Sequence, residues 1–454
     1  MTVAIIGGGI SGLAGAYFLQ RAGVAVTLLE QTARPGGVIE TARQDGYQFE
    51  AGPQSFLSSA ETDDLLSELH LPEQTLEANS RAPRFIFCNG KLHKAPLGPP
   101  DLLGTQLLSL STKLTLFLEP FRRTRPPDGD ESIAAFVRRK FADDLLENMV
   151  GPLVSGIHAG HPERLSVRSA FPFLYEWERD HGSVIRGAMK SRPKSPAKKP
   201  VLTSFRDGLA VFVEALAAQL GASVRTNTRV ISIERQPLSE KAPFVLRVSR
   251  SGQEETLTAD ALVVATDAGT AAELLGPLAG GAARRLNEIE YAPVAVVGLG
   301  YRREEVAHPL QGFGFLVPRK ENLSILGTIW CSSLFAGRAP ESSVNLTSFV
   351  GGATNPQCVQ LSDAELIARV ERELRPILGI RGQPATHFLR RWPRALPQYN
   401  LGHAEVLLAV REAVRNVPGL FLAGNYLRGP SIAACIAQAK ETAEEVQGFL
   451  RRSA

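Results

Sequence analysis

Residues 3–12 narrow what this chain can fold into more than any other stretch. They read V-A-I-I-G-G-G-I-S-G, a short apolar run of the kind found in strands buried on both faces, followed at once by glycines. Gly7, Gly9 and Gly12 satisfy G-x-G-x-x-G at a strand-to-helix turn. The first glycine allows the tight turn, the second lets the backbone approach a pyrophosphate, and the third lets the helix pack closely on the strand. Ile10 and Ser11 stand where the new helix offers free N–H groups and a positive dipole end to phosphate. The chain has 41 glycines, so the motif takes its weight from the elements next to it. A helix over residues 13–21 stops at Ala22-Gly23, a second strand covers 26–29, and it runs out into Glu30 and Gln31. An acid at this spacing takes the hydroxyls of a ribose.

The next segment, Arg34-Pro35-Gly36-Gly37, separates two classes of dinucleotide protein. It resembles FAD proteins of the glutathione-reductase type, in which an acid followed by a short Arg-x-Gly-Gly segment brings the chain back across the pyrophosphate; the expected cofactor is therefore FAD and not a nicotinamide. Residues 46–50 read as a strand and lead into Gly52-Pro53-Gln54-Ser55, a rigid turn whose backbone can lie against a flat ring system. The same frame returns after residue 201, with a helix over 209–220, short strands at 224–226, 230–234, 244–249 and 255–258, and another at 261–265. Here Val230 is expected to present its backbone to adenine, and residues 263–266, ending on Thr266, to close the parallel sheet. At the far end, 420–423 is a strand, Gly424-Asn425 a turn, and Ser431 and Ile432 open a helix that carries no charge until Lys440. Its N-terminus suits the negative charge that develops on a reduced flavin.

At 454 residues the chain is too long for one simple core. The net charge of +4 is small for this length, and no basic stripe interleaved with aromatics argues for nucleic acid. Cys88, Cys331, Cys358 and Cys435 are far apart, which reads as buried thiols and not a disulfide framework or zinc site. The first strand begins almost at Met1 and no apolar run reaches membrane-spanning length, so a cytoplasmic location is expected. Residues 61–70 read as an amphipathic helix, and 84–88, Asn89-Gly90 and 91–93 as a hairpin with Arg81 and Arg84 at its entrance. Residues 101–127 combine many leucines and phenylalanines with Arg122, Arg123 and Arg125. Two readings stay open there: an apolar surface resting on an anionic membrane, or a core helix with a basic C-terminus. Residues 132–140 and 143–150 read as two further helices. His158 and His161 lack a carboxylate or Cys at ligand spacing and read as polar histidines with satisfied hydrogen bonds, so no metal is expected. Residues 190–200 have the composition of a mobile loop. Residues 293–301, 314–317, 324–330 and 346–351 read as strands of a second sheet, and 362–378 as a helix capped by Ser362 with Glu365 three residues on.

Taken together, the expected fold class is α/β: a Rossmann-type FAD-binding domain of the glutathione-reductase type, a substrate-binding domain with a mixed β-sheet, and a helical insertion. The expected division is 1–80, 201–268 and 400–454 for the first, 81–100 and 269–399 for the second, and 101–200 for the insertion.

Nearly the whole chain resembles the FAD-dependent protoporphyrinogen and coproporphyrinogen oxidases of haem synthesis, which are related to monoamine oxidase. The resemblance rests on A-G-P-Q-S-F at 51–56, on G-F-G-F-L-V-P from Gly312, L-G-T-I-W-C-S-S from Leu326 and A-G-N-Y-L-R-G-P-S-I from Ala423, and above all on G-P-L-V-S-G-I-H-A-G-H-P-E-R-L-S-V-R-S-A-F-P from Gly151. General amine oxidases lack that middle block. His161 departs from the family pattern, which has Asp more often. The resemblance implies a substrate pocket of Phe313, Leu316, Ile329 and Phe349, with Arg84 pairing a propionate. It also implies a membrane-associated helical insertion, peripheral on the cytoplasmic face of the inner membrane. The implied reaction passes a hydride from a methylene bridge to the flavin, with dioxygen as acceptor and hydrogen peroxide released, six electrons in three rounds. The flavin is expected to be non-covalent, because 392–400, where related amine oxidases attach theirs, holds no Cys. Protoporphyrinogen IX is the favoured substrate and coproporphyrinogen III the alternative; a flavin amine oxidase, a polyene desaturase or a non-enzymatic porphyrin carrier are more distant. Oligomeric state, including a homodimer, stays open.

Overall fold

The computed structural model describes residues 1–96, 98–191, 200–235 and 244–453. Most of the stretch read as a mobile loop, 192–199, lies outside the described residues.

The apolar run at the N-terminus becomes the strand Thr2–Ile6, buried from Val3 onward, at the middle of a five-stranded parallel sheet. The order across it is Val224–Arg225, Ala25–Leu29, Thr2–Ile6, Ala261–Val264 and Leu420–Leu422. Residues 263–266 therefore do not close this sheet. Leu262, Val263 and Val264 pair with Leu420, Phe421 and Leu422 on their far side, which explains why Ala261–Val264 is buried throughout, and residues 265–266 lie beyond the strand in the turn against Gly7. One face of the sheet is covered by the helices Ile10–Arg21, Ala210–Leu220 and Ile432–Ser453, through Leu13, Leu19, Phe212, Leu216, Ile436 and Val446. The other face is covered by the antiparallel strands Thr228–Arg235, Phe244–Arg250 and Gln253–Ala259 and by the helices Ala268–Leu275, Gly280–Leu286 and His403–Arg415. Residues 269–286, expected in the substrate unit, thus pack on the first sheet.

A second sheet has seven strands in the order Thr386–Pro397, Tyr291–Arg302, Ser343–Gly351, Ile325–Trp330, Gly314–Leu316, Arg84–Cys88 and Lys91–Lys94. It is mixed: Gly314–Leu316 runs parallel to Arg84–Cys88 and every other pair is antiparallel. The Asn89-Gly90 hairpin forms as expected, with both residues at positive φ. One face of the sheet packs on the helix Asp363–Leu378, through Leu366, Val370, Leu374 and Leu378, and Ser362 and Glu365 cap that helix reciprocally. The opposite face meets the cofactor unit. A Cβ at Gly298 would stand 2.3 Å from the Phe49 ring, so only glycine lets the strand Tyr47–Glu50 lie this close to the second sheet.

Residues 101–127 form neither one helix nor a core helix with a basic end. Ser109 caps a new helix, Leu110–Leu118, a single turn Glu119–Phe121 comes next, and Arg122, Arg123 and Arg125 lie beyond it in non-helical chain. The apolar side chains of Leu103, Leu110, Leu114, Phe117 and Phe121 point outward, between 59% and 83% exposed. The rest of the insertion is held from inside by buried charge. Lys140 Nζ lies 3.0 Å from Glu119 and 3.4 Å from Glu178, and Glu119 also accepts hydrogen bonds from Ser183 Oγ and the Val184 and Ile185 N–H groups. Its carboxyl sits below the usual range: burial pushes it up, but these hydrogen bonds outweigh that.

Candidate active site

The glycine turn has the shape its sequence calls for. Gly7 takes φ +106°, where a Cβ would also come within 2.8 Å of the Ala265 carbonyl oxygen, and a Cβ on Gly12 would stand 1.9 Å from the Gly7 oxygen. Gly9 differs: no atom lies within 4 Å of its Cβ position, so space is open in front of it. Gly9 caps the helix Ile10–Arg21, which has no side-chain cap and no acid in its first turn, so the N–H groups of Ile10, Ser11 and Gly12 face that space without a competing anion. Gly36 bridges to Gly9, and a Cβ on Gly37 would be 3.3 Å from the Gly9 Cα. Arg34 holds this return segment, donating to the carbonyls of Pro35, Gly37 and Ile39.

Glu30 is 8% exposed, and its carboxylate accepts from the Gly8 N–H at 2.8 Å and from the Thr32 N–H and hydroxyl at 2.8 and 2.7 Å. No cation pairs with it among the described residues. A buried carboxylate without a cation keeps lone pairs for hydroxyl donors, which fits a ribose. Gln31 beside it is exposed. The Thr228 N–H donates to the Glu30 carbonyl at 2.8 Å, which brings buried Val230 alongside. At the other end of the turn Thr266 lies between Gly7 and Gly424, its methyl 3.3 Å from the Gly7 Cβ position and its carbonyl 3.3 Å from that of Gly424. Asn425 accepts a hydrogen bond from the Tyr399 hydroxyl, Ser431 caps the last helix through the Ala434 N–H, and Ile432 is buried in its first turn. The turn 52–55 packs over Val38: a Cβ on Gly52 would be 2.3 Å from the Val38 carbonyl oxygen. Gln54 is buried there, while Pro53 and Ser55 are half-buried. Gly7, Gly9, Glu30, Gly36, Thr266 and Gly424 thus gather over the C-terminal edge of the first sheet, where α/β folds bind ligands. An open, acid-free helix terminus beside a cation-free buried carboxylate fits a dinucleotide.

The residues read as substrate contacts come together on the second sheet. Strand pairing puts Arg84 opposite Gly314, and the Arg84 guanidinium lies 5.2 Å from the centre of the Phe313 ring. Leu316, Ile329 and Phe349 alternate with core residues along their strands and share the face turned from the helix Asp363–Leu378; all three are half-buried. Leu316 is met from above by the helix Gly151–His158, since a Cβ on Gly156 would be 2.7 Å from Leu316 Cδ2. That helix is part of the sequence block that stood out most.

His158 is not a polar histidine with satisfied hydrogen bonds. It is almost wholly buried, its Nδ1 has no partner, and it is held edge-on by the rings of Phe171 and Tyr399, at 5.2 and 5.6 Å. Burial pushes it down to about 4, so it is neutral near pH 7. His161 fits the polar reading, with Nδ1 accepting from the Glu163 N–H and Nε2 2.9 Å from Arg319. Among the described residues no group of three or more His, Cys, Asp or Glu side chains could hold a metal ion. Sequence reasoning misses two residues here: Tyr399, which reaches the Asn425 carbonyl from a run with no local signature, and Cys331, which reaches Gln54 and lies inside the run L-G-T-I-W-C-S-S but reads from sequence only as a buried thiol.

The family model for flavin containing amine oxidoreductases matches residues 10–447. The chain belongs to that family and is an FAD-dependent oxidoreductase. Within it, the chain is similar to the chloroplastic protoporphyrinogen oxidase of Nicotiana tabacum, with 34% identity over 474 residues, 99% of this chain and 86% of that protein. It is also similar to the coproporphyrinogen III oxidase of Bacillus subtilis (strain 168), with 31% identity, 99% of this chain and 98% of that protein. A crystal structure from Exiguobacterium sp. 255-15, provisionally assigned as a protoporphyrinogen oxidase, superposes with a TM-score of 0.83 at 28% identity over 99% of both chains. A cyclohexylamine oxidase from Brevibacterium oxydans shares the fold at a TM-score of 0.71 and 17% identity.

Proposed function

We propose that this protein oxidises a porphyrinogen to the porphyrin in haem biosynthesis, with protoporphyrinogen IX as substrate and dioxygen as electron acceptor. The observation that carries the reading is the face of the second sheet turned from the helix Asp363–Leu378, where half-buried, apolar Leu316, Ile329 and Phe349 lie beside one cation, Arg84, its guanidinium over the Phe313 ring. An apolar surface with a charged edge matches a macrocycle that is greasy in the middle and carboxylated at its rim. Bound FAD supplies hydride acceptance and its own reoxidation by dioxygen. The chain binds and orients. Gly9 and the N–H groups of the helix Ile10–Arg21 hold the pyrophosphate, Glu30 the ribose, and Val230 the adenine edge. Arg84 takes a propionate with its planar fork, while Leu316, Ile329 and Phe349 exclude water and fix a methylene bridge near the flavin. None of these three face residues is an acid or base, consistent with chemistry carried by the cofactor.

Coproporphyrinogen III is the second reading, favoured by the near-complete coverage of the Bacillus subtilis coproporphyrinogen III oxidase. Fluorescence-detected oxidation of both porphyrinogens in air by the purified yellow protein tests both. Faster conversion of one identifies the substrate, and conversion of neither by FAD-loaded protein refutes the proposal.

A membrane surface is the further partner we infer. Exposed Leu110, Leu114, Phe117 and Phe121 stand beside Arg122, Arg123 and Arg125, apolar anchors next to cations that suit an anionic leaflet. No described helix is long and apolar enough to cross a membrane.

A further inference from the structure

A file of buried polar groups links the turn 52–55 to the substrate face, and the proposed reaction leaves it unexplained. Gln54 Nε2 donates to the carbonyls of Glu50 and Gly52, at 3.0 and 3.1 Å. Its Oε1 therefore points the other way, where Cys331 Sγ stands at 3.3 Å. The same thiol is 3.3 Å from Thr347 Oγ1. Thr347 in turn donates to Asn345 Oδ1 at 3.3 Å, and Asn345 Nδ2 donates to the Gln48 and Arg338 carbonyls at 2.8 and 3.1 Å. Gln54, Cys331, Thr347 and Asn345 are all buried. Burial pushes the Cys331 thiol up to about 11, so it remains an S–H donor at any ordinary pH. Such a network is costly unless complete, and a small apolar residue would fill the same position without it. Its two ends fall at the two halves of the site. Gln54 belongs to the turn read as lying against the flavin, while Thr347 pairs in register with Ile329 and stands two residues from Phe349 on the same face.

We propose that Cys331 is a positioning residue for the flavin side of the site: its S–H, donated to Oε1, orients the Gln54 amide, and that amide holds the turn 52–55 through the Glu50 and Gly52 carbonyls. The proposal rests on the reading of that turn as a flavin contact.

The test compares purified FAD-loaded wild type with Cys331→Ala and Cys331→Ser. The flavin absorption spectrum and midpoint potential are read without substrate, and kcat and KM with porphyrinogen. Cys331→Ala should shift the flavin band and the potential, and lower kcat about 3- to 10-fold at unchanged KM, the scale of one lost neutral hydrogen bond. Cys331→Ser keeps a donor and should restore all three. An Ala variant with wild-type spectrum, potential and kcat overturns the proposal, and so does a Ser variant as impaired as Ala. Should Cys331→Ala fail to fold, Cys331→Val removes the donor at a similar side-chain volume; it should move the potential in the same direction, and an unmoved potential overturns the proposal. Because spectrum and potential need no substrate, a wild type that ignores porphyrinogens refutes the proposed reaction without touching this comparison.

Discussion

A methyl group added at Gly9 probes the cofactor cleft without disturbing the fold. Gly9 has φ −70° and ψ 176°, a conformation any residue adopts, and its Cβ would meet nothing within 4 Å. In the apo-protein, Gly9→Ala reduces the freedom of the unfolded chain, worth about 0.4–1 kcal/mol, and makes a poorer helix cap by a similar amount. Apo stability should therefore stay within about 1 kcal/mol of wild type. The same methyl intrudes on the space in front of the helix N–H groups. Loss of one charge-assisted hydrogen bond to phosphate, about 1.5–3 kcal/mol, weakens FAD binding about 10- to 150-fold. Gly12→Ala is the contrasting variant. Its Cβ would stand 1.9 Å from the Gly7 oxygen, so the helix must back away from the strand, and overpacking of this kind costs about 1–3 kcal/mol even without cofactor. Thermal unfolding of the apo-proteins and FAD titrations followed by flavin fluorescence separate the two effects. Wild-type FAD affinity in Gly9→Ala would refute the placement of the pyrophosphate.

Arg84→Ala should raise KM for the porphyrinogen about 10-fold and leave kcat within about twofold, because a propionate contact remote from the reacting carbon is made equally in ground and transition states; an unchanged KM removes Arg84 from the site. Changing Leu114 and Phe117 together to Ser should cut binding to vesicles rich in anionic lipid at least about tenfold in a sedimentation assay, since each buried side chain of this size is worth about 1.5–3 kcal/mol; undiminished binding would move the membrane contact elsewhere. His158 is held neutral down to about 4, whereas the unfolded chain protonates it near 6.5, so the unfolded state binds the extra proton and stability is lost as pH falls between those values. The loss from this one group is about 3 kcal/mol, and denaturant melts of His158→Phe should show a correspondingly shallower decline from pH 7 to pH 4. Glu119 acts lower on the scale: its folded carboxyl lies below the unfolded value near 4.3, so its contribution is present above that pH and fades beneath it, and Glu119→Gln should destabilise the protein at pH 7 more than at pH 3.

What could be read from the chain itself was backbone chemistry. The glycine turn, the Asn89-Gly90 hairpin and the Ser362–Glu365 cap each need particular residue types within a few positions, and the structure places all three as expected. The strand Thr386–Pro397 escaped notice for the opposite reason. It runs R-R-W-P-R-A through a register shift opposite Ala292 and Val294, so neither its alternation nor its Pro393 reads as a strand until Tyr291–Arg302 is laid beside it. The helix Leu110–Leu118 shows a third case, in which composition announced an apolar surface but left open which way it faced. Within the site the same division holds. Gly9, Glu30 and Gly36 sit where, on the proposed reading, the turn would accept phosphate or ribose, and such demands leave a local mark. Cys331 and Gln54 meet side chain to side chain across 277 residues, and the Tyr399 hydroxyl meets the Asn425 backbone carbonyl across 26, through groups that could serve as well in any core. The contacts proposed for the cofactor are thus written in short motifs, whereas the residues that hold those motifs in place become visible only once the chain has folded.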